Sequence, residues 1–237
     1  MTSTAPACAR MVATETNTLL AATFDPAGAR RLLDVGCGYG ETTAHLAGIG
    51  FDVLGIDPSP AAISQARLRH PGLRFAVASA EDLPDDLGRF DGALCVNALH
   101  HVAPQAMQPA LRRVLARLDP PAPLLVIEPL PEGSFFHAML PVEDETHIRD
   151  LAARAIAGLV DDGDARLVDL LRWDRISLFS GLDAFLDRLV AVDPDRAATL
   201  DRNRPAIEAA WSRHAQPTEH GFRLVQPIVG WHLAPPG

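Results

Sequence analysis

The chain has no lysine: its 21 basic residues are all arginine, which removes any catalysis that needs a Schiff-base lysine. Cysteine is scarce as well. Cys8, Cys37 and Cys95 are odd in number and far apart, so neither a disulfide framework nor a C-x-x-C metal pattern can be drawn, and no metal site is expected. Cys37 has no basic residue beside it in sequence, which argues against a nucleophilic thiolate. A surplus of positive charge is also missing. The net charge is −9, and a nucleic-acid partner would want a basic face. No apolar run approaches membrane-spanning length, and residues 1–24 lack the sustained apolar core of a secretory leader. The expectation is a protein of the reducing cytoplasm with no membrane insertion.

What is present is an ordinary globular composition, 48% hydrophobic and 22% charged over 237 residues, enough for one domain with an elaboration. The informative stretch is residues 31–43, RLLDVGCGYGETT. Leu32, Leu33 and Val35 suit a buried parallel strand, glycines follow at 36, 38 and 40, and Glu41 to Ala47 can start a helix. Strand, glycine turn and helix open a doubly wound α/β domain, whose ligand sits outside the carboxyl end of the strand. The dinucleotide fingerprint G-x-G-x-x-G is not met, because Glu41 stands where its last glycine belongs. An acidic residue at the helix start would also repel a pyrophosphate, so the loop suits a ligand without phosphates. The same glycines also fit a plain tight turn. A second apolar strand, Phe51 to Ile56, ends at Asp57, 21 positions beyond Gly36. That is the interval at which this topology sets a carboxylate against two ribose hydroxyls, although an Asp57-Pro58 pair equally suits a helix start.

Asp34, Gly36, Gly38 and Gly40 match (D/E)-x-G-x-G-x-G, and here the sequence resembles the class I S-adenosylmethionine-dependent methyltransferases. Residues 78–84, ASAEDLP, resemble that family's adenine-binding stretch, with Ser79 in place of the usual aspartate. FDGALCV at 90–96, followed by NALHHV at 97–102, resembles its small-molecule branch, and the N-P-P-Y form associated with amino-group methylation of bases is absent. The resemblance implies a Rossmann-like, mostly parallel sheet of seven strands and S-adenosyl-L-methionine as cofactor. The methionine part would lie along Asp34, Gly36, Cys37, Gly38 and Gly40, the ribose at Asp57 and Pro58, the adenine at Ser79, Ala80 and Glu81, and the transferred methyl near Asn97. It also implies a small-molecule acceptor, no nucleic acid, and leaves a homodimer open.

His100 and His101 are candidate general bases, because the imidazole pKa lies near working pH. Glu128, at the end of a fifth strand 124–127, is a third candidate, either as base or by orienting a substrate. One histidine packing at the strand end and the other capping a turn is the plainer alternative. The chain is expected to be a single methyltransferase domain, 1–237. Within it, 1–130 is a cofactor-binding core, 131–214 a mostly helical lid and 215–237 a closing strand, with a weak leading helix over 10–24 and a loop over 131–140. Phe135, Phe136, His137, Met139, His147, Trp173 and Trp211 are candidates for an apolar acceptor pocket. Two rivals stay open: a catalytically silent protein that binds S-adenosylmethionine or S-adenosylhomocysteine, and an NAD(P)-dependent oxidoreductase on a similar sheet.

Overall fold

A computed structural model describes residues 9–12, 14–25 and 28–236; Cys8, and Pro26 and Ala27 of the break after the leading helix, lie outside them. The elements run β1 (Arg10–Met11), α1 (Thr16–Phe24), β2 (Arg31–Val35), α2 (Glu41–Gly48), β3 (Asp52–Asp57), α3 (Pro60–Arg69), β4 (Arg74–Val77), β5 (Gly92–Val96), α4 (Pro104–Leu115) and β6 (Leu124–Pro129). Then come α5 (Gly133–Met139), α6 (Thr146–Asp161), β7 (Arg166–Phe179), α7 (Leu182–Val192), α8 (Ala197–Arg202), α9 (Arg204–His214), β8 (Gln216–Thr218) and β9 (Gly221–Ala234). The strand order is β1-β7-β9-β6-β5-β2-β3-β4, with β8 off β9. Nine strands among the described residues replace the expected seven. The two extra are β1 and β8, two and three residues long, too short to leave an alternating pattern in the sequence.

The chain divides into two compact units. The first holds everything up to Glu128, Leu151–Trp173 and the chain from Val229 on. Its β2 pairs in parallel with β3 on one side and β5 on the other, and β5 pairs in parallel with β6. The chain therefore reverses its direction of winding at β2 and β5, which opens a crevice at their carboxyl ends. Leu32, Leu33 and Val35 of β2 are buried, as a strand covered on both faces requires. Helix α3 starts where Ser59 accepts a hydrogen bond from the Ala62 N–H at 3.2 Å with Pro60 at its first position, so the cap is Ser59 and not the Asp57-Pro58 pair. The leading helix is shorter than expected. Residues 10–11 form β1 against Leu171 and Arg172 of β7, and α1 buries Leu20 and Phe24, the latter edge-on to Phe51 at 6.3 Å.

The second unit is Pro129–Asp150 with Asp174–Ile228. Its core gathers Phe136, Met139, Phe185, Leu189, Ile207, Trp211 and Leu224. The expected loop over 131–140 is the helix α5, which packs its Phe136, Ala138 and Met139 inward. Of the residues offered for an acceptor pocket, Phe136, Met139 and Trp211 are buried in this core, Phe135 packs against it half-buried, and His137 and His147 are exposed. Phe135 meets Phe185 edge-on at 5.4 Å, and Phe185 lies 5.3 Å from Trp211. Trp173 is buried in the first unit, where a Cβ on Gly230 would come within 3.1 Å of its ring. Among the described residues no helix is long and apolar enough to cross a membrane.

Candidate functional site

The carboxyl end of β2 turns into the glycine loop through three left-handed residues, Gly36 (φ +72°), Gly38 (φ +54°) and Gly40 (φ +86°). Gly36 is also sterically obligatory. A Cβ there would stand 2.4 Å from the Ala98 Cβ, so the glycine lets the β2 loop and the turn after β5 touch. At Gly38 a Cβ would meet nothing within 4 Å, which leaves open space over the middle of the loop. Gly36 and Cys37 both donate their N–H groups to the Ile56 carbonyl, at 2.8 and 2.9 Å.

Asp57, at the end of β3, reaches across to this loop. Its Oδ2 accepts from the Gly38 N–H at 3.0 Å and its Oδ1 from the Ser59 N–H at 2.9 Å. One carboxylate thus ties the glycine loop to the start of α3. Each oxygen retains a second lone pair for a ligand hydroxyl. Pro58 beside it is exposed.

Asp34 lies beneath the loop, 2% exposed, and accepts from the Thr43 hydroxyl at 2.6 Å. Burial pushes its carboxyl up to about 6, the Thr43 bond opposes that, and the Asp57 charge adds to it. Sequence reasoning passed over Thr43, since a threonine in the first turn of a helix carries no signal of its own. The Cys37 side chain turns toward Ile63, Ala66 and Phe75. Burial first, then the charges of Asp34 and Asp57, raise its thiol far above the ordinary range, which argues against a nucleophilic thiolate.

Beyond β4 the chain turns through Ser79, Ala80 and Glu81, all half-buried. The Ser79 hydroxyl accepts from the Asp82 N–H at 3.2 Å, which spends an acceptor site on holding the turn. At the end of β5, Asn97 takes φ +51°, a left-handed value rare outside glycine. Its N–H donates to the Ile127 carbonyl at 2.8 Å, while its Oδ1 is buried without a hydrogen-bond partner. A left-handed backbone, which asparagine tolerates better than most residues, and an orphaned buried acceptor thus meet at one residue.

Next comes a tight 3-10 turn, Leu99–His101. Glu128, at the carboxyl end of β6 and 2% exposed, holds it. Its Oε1 accepts from the N–H groups of Ala98 at 3.1 Å and Leu99 at 2.8 Å, and its Oε2 meets His100 Nδ1. Both oxygens are engaged, so Glu128 is placed to orient His100 rather than to take a substrate proton directly. An ionised carboxylate only accepts, so the tautomer that bonds to it through Nδ1 is the one with its proton on Nδ1 and its lone pair on Nε2. His100 is buried and His101 exposed, with ring centroids 4.1 Å apart.

Residues 32–121, which hold the glycine loop, Asp57 and the histidine turn, match a family model described as a methyltransferase domain. An uncharacterized methyltransferase of Synechocystis sp. is 36% identical over 38% of this chain and 43% of its own length. The ubiquinone biosynthesis O-methyltransferase of Azorhizobium caulinodans is 34% identical over 40% of this chain and 39% of its own. The matched stretch spans less than half of either relative. The solved YcgJ protein of Bacillus subtilis aligns over 93% of this chain and 98% of its own at 18% identity and a TM-score of 0.61, which speaks for the fold alone.

Proposed function

We propose that this chain, whose residues 32–121 form a class I S-adenosylmethionine-dependent methyltransferase domain with S-adenosyl-L-methionine as its cofactor, transfers a methyl group to an oxygen, nitrogen or carbon atom of a small-molecule acceptor. The observation that carries this reading is the pairing of Asp57, at the end of β3, with Gly38 of the loop that leaves β2. One acidic group stands where the cofactor reading puts the ribose, bare backbone lies beside it, and an acid rather than a base opens α2 at Glu41. That donor set fits a cationic amino-acid tail and a sugar, and it suits a phosphate poorly. The orphaned Asn97 oxygen offers an acceptor for the same cationic end.

The cofactor supplies an electrophilic methyl on a positively charged sulfur. The chain's own part is alignment and exclusion of water, which is worth roughly 7–11 kcal/mol of barrier when two reactants are held in line. Gly36, Gly38 and Gly40 let backbone approach, Asp57 orients the sugar, and Ser79, Ala80 and Glu81 border the base. His100, fixed by Glu128, offers Nε2 to the proton that an acceptor hydroxyl or ammonium sheds. Glu128 then stabilises the imidazolium that forms. His101, exposed beside it, is the second candidate for contact with the acceptor.

The experiment is to incubate the full chain with methyl-labelled S-adenosylmethionine and a small-molecule extract, beside protein and nucleic-acid fractions. Label in a low-mass product is expected. Label in polymer only, or none while S-adenosylhomocysteine still binds, would contradict the small-molecule transferase.

A further inference from the structure

The three side chains of the glycine loop and its exit all turn to one neighbour. Cys37 packs on the cluster of Ile63, Ala66 and Phe75. The guanidinium of Arg69 lies 4.5 Å over the Tyr39 ring. Glu41 faces Arg69 Nη1 at 3.5 Å and His70 Nε2 at 3.7 Å. Arg69 is the last residue of α3 and His70 its C-cap, so one helix end meets the loop on both sides of Gly40. His70 also roofs Gly40 itself, where a Cβ would come within 3.1 Å of its Cδ2 and 2.6 Å of Phe75 Cζ. The His70 Nε2 atom is buried with no hydrogen bond, and Glu41 is the carboxylate set in front of it.

We infer that Arg69 and His70 are positioning residues that hold the glycine loop in its binding shape, so that cofactor affinity is set in part by the far end of α3. The inference rests on the cofactor reading above. Three glycines at positive φ would, if unfastened, sample many conformations, and a ligand would have to order them on arrival. Glycine offers no side chain to fasten. Tyr39 and Glu41 are the handles on either side of Gly40, and α3 grips both. The helix start, capped by Ser59, is tied to the same loop through Asp57, so α3 braces it from both ends, about 15 Å apart. The Glu41 and Arg69 side chains are 72% and 47% exposed. Their ion pair is therefore weak by itself, and the ring contact with Tyr39 adds to it.

The test is calorimetric titration of the full chain with S-adenosylhomocysteine, for wild type, Arg69→Ala, Glu41→Gln, Glu41→Arg and the charge-reversed pair Arg69→Glu with Glu41→Arg. Arg69→Ala and Glu41→Gln are expected to weaken binding by about two- to tenfold, with the unfolding midpoint of the ligand-free chain unchanged. The reversed pair should recover part of the loss that Glu41→Arg alone produces, since it restores the ion pair but not the ring contact with Tyr39. A wild type that binds, matched by variants that bind equally well, overturns the clamp alone. So does a loss of affinity that follows the unfolding midpoint, because the contacts would then serve the fold in general. A wild type that takes no S-adenosylhomocysteine overturns the cofactor reading, and the clamp with it.

Discussion

The Thr43 hydroxyl donates to Asp34 Oδ2 at 2.6 Å, and the two side chains are 0% and 2% exposed. This single bond is the direct solvation that a buried carboxylate beneath the glycine loop receives from a neighbouring side chain. Burial still outweighs it and pushes the Asp34 carboxyl up to about 6.

A pH dependence of stability follows. An acid whose folded pKa lies above its unfolded value favours the folded state only while protonated, so stability is lost as pH rises from about 4 through about 6. Asp34→Asn keeps an oxygen for Thr43 and carries no charge. It should match wild type below about pH 4 and gain on the order of 3 kcal/mol above about pH 7. Urea unfolding of the ligand-free chain at several pH values measures this, and equal curves at pH 8 would count against the buried charge.

Glu128 satisfies two backbone N–H groups and one imidazole at once. Glu128→Ala leaves all three unanswered in a buried place and should cost about 3–5 kcal/mol of unfolding free energy. Denaturant midpoints check it. A loss below about 1 kcal/mol would mean that the turn Leu99–His101 holds itself.

His100→Gln should separate chemistry from binding. With an acceptor that must shed a proton, turnover is expected to fall by about 10²–10⁴ while affinity for S-adenosylhomocysteine stays within about threefold. Unaltered turnover would leave His100 a packing residue.

Gly36→Ala combines a left-handed φ with a 2.4 Å approach to Ala98. The loop and the turn after β5 must then part, and binding of S-adenosylhomocysteine should drop at least tenfold. Gly50→Ala, strained at φ +107° but with nothing within 4 Å, shares the backbone penalty and should leave affinity intact. Equal losses in both would trace the effect to stability.

Much of the first unit was legible because its signals are local. The apolar run of β2, the glycines behind it, and the acid at the end of β3 are short patterns with one physical meaning each. The second unit was harder to read. Residues 133–139, GSFFHAM, span barely two turns and begin with glycine, so they showed no helical period, and tertiary packing of Phe136 and Met139 makes the helix α5. Phe136 and Trp211 read as pocket candidates because composition alone cannot tell a ring that faces a ligand from one that faces the core. In the site, Thr43, Arg69 and His70 act through contacts that no spacing announces. Glu128 was found as a strand-end acid, yet which groups occupy its two oxygens is a property of the folded turn alone.

The most direct test is calorimetric titration of the full chain with S-adenosylhomocysteine and, separately, with NADH, for wild type and Asp57→Ala. Because Asp57 is the proposed carboxylate grip on the sugar, S-adenosylhomocysteine should bind wild type, lose about ten- to a hundredfold in affinity with Asp57→Ala, and NADH should give no heat. Binding of NADH without S-adenosylhomocysteine, or an affinity for S-adenosylhomocysteine untouched by Asp57→Ala, would contradict the account.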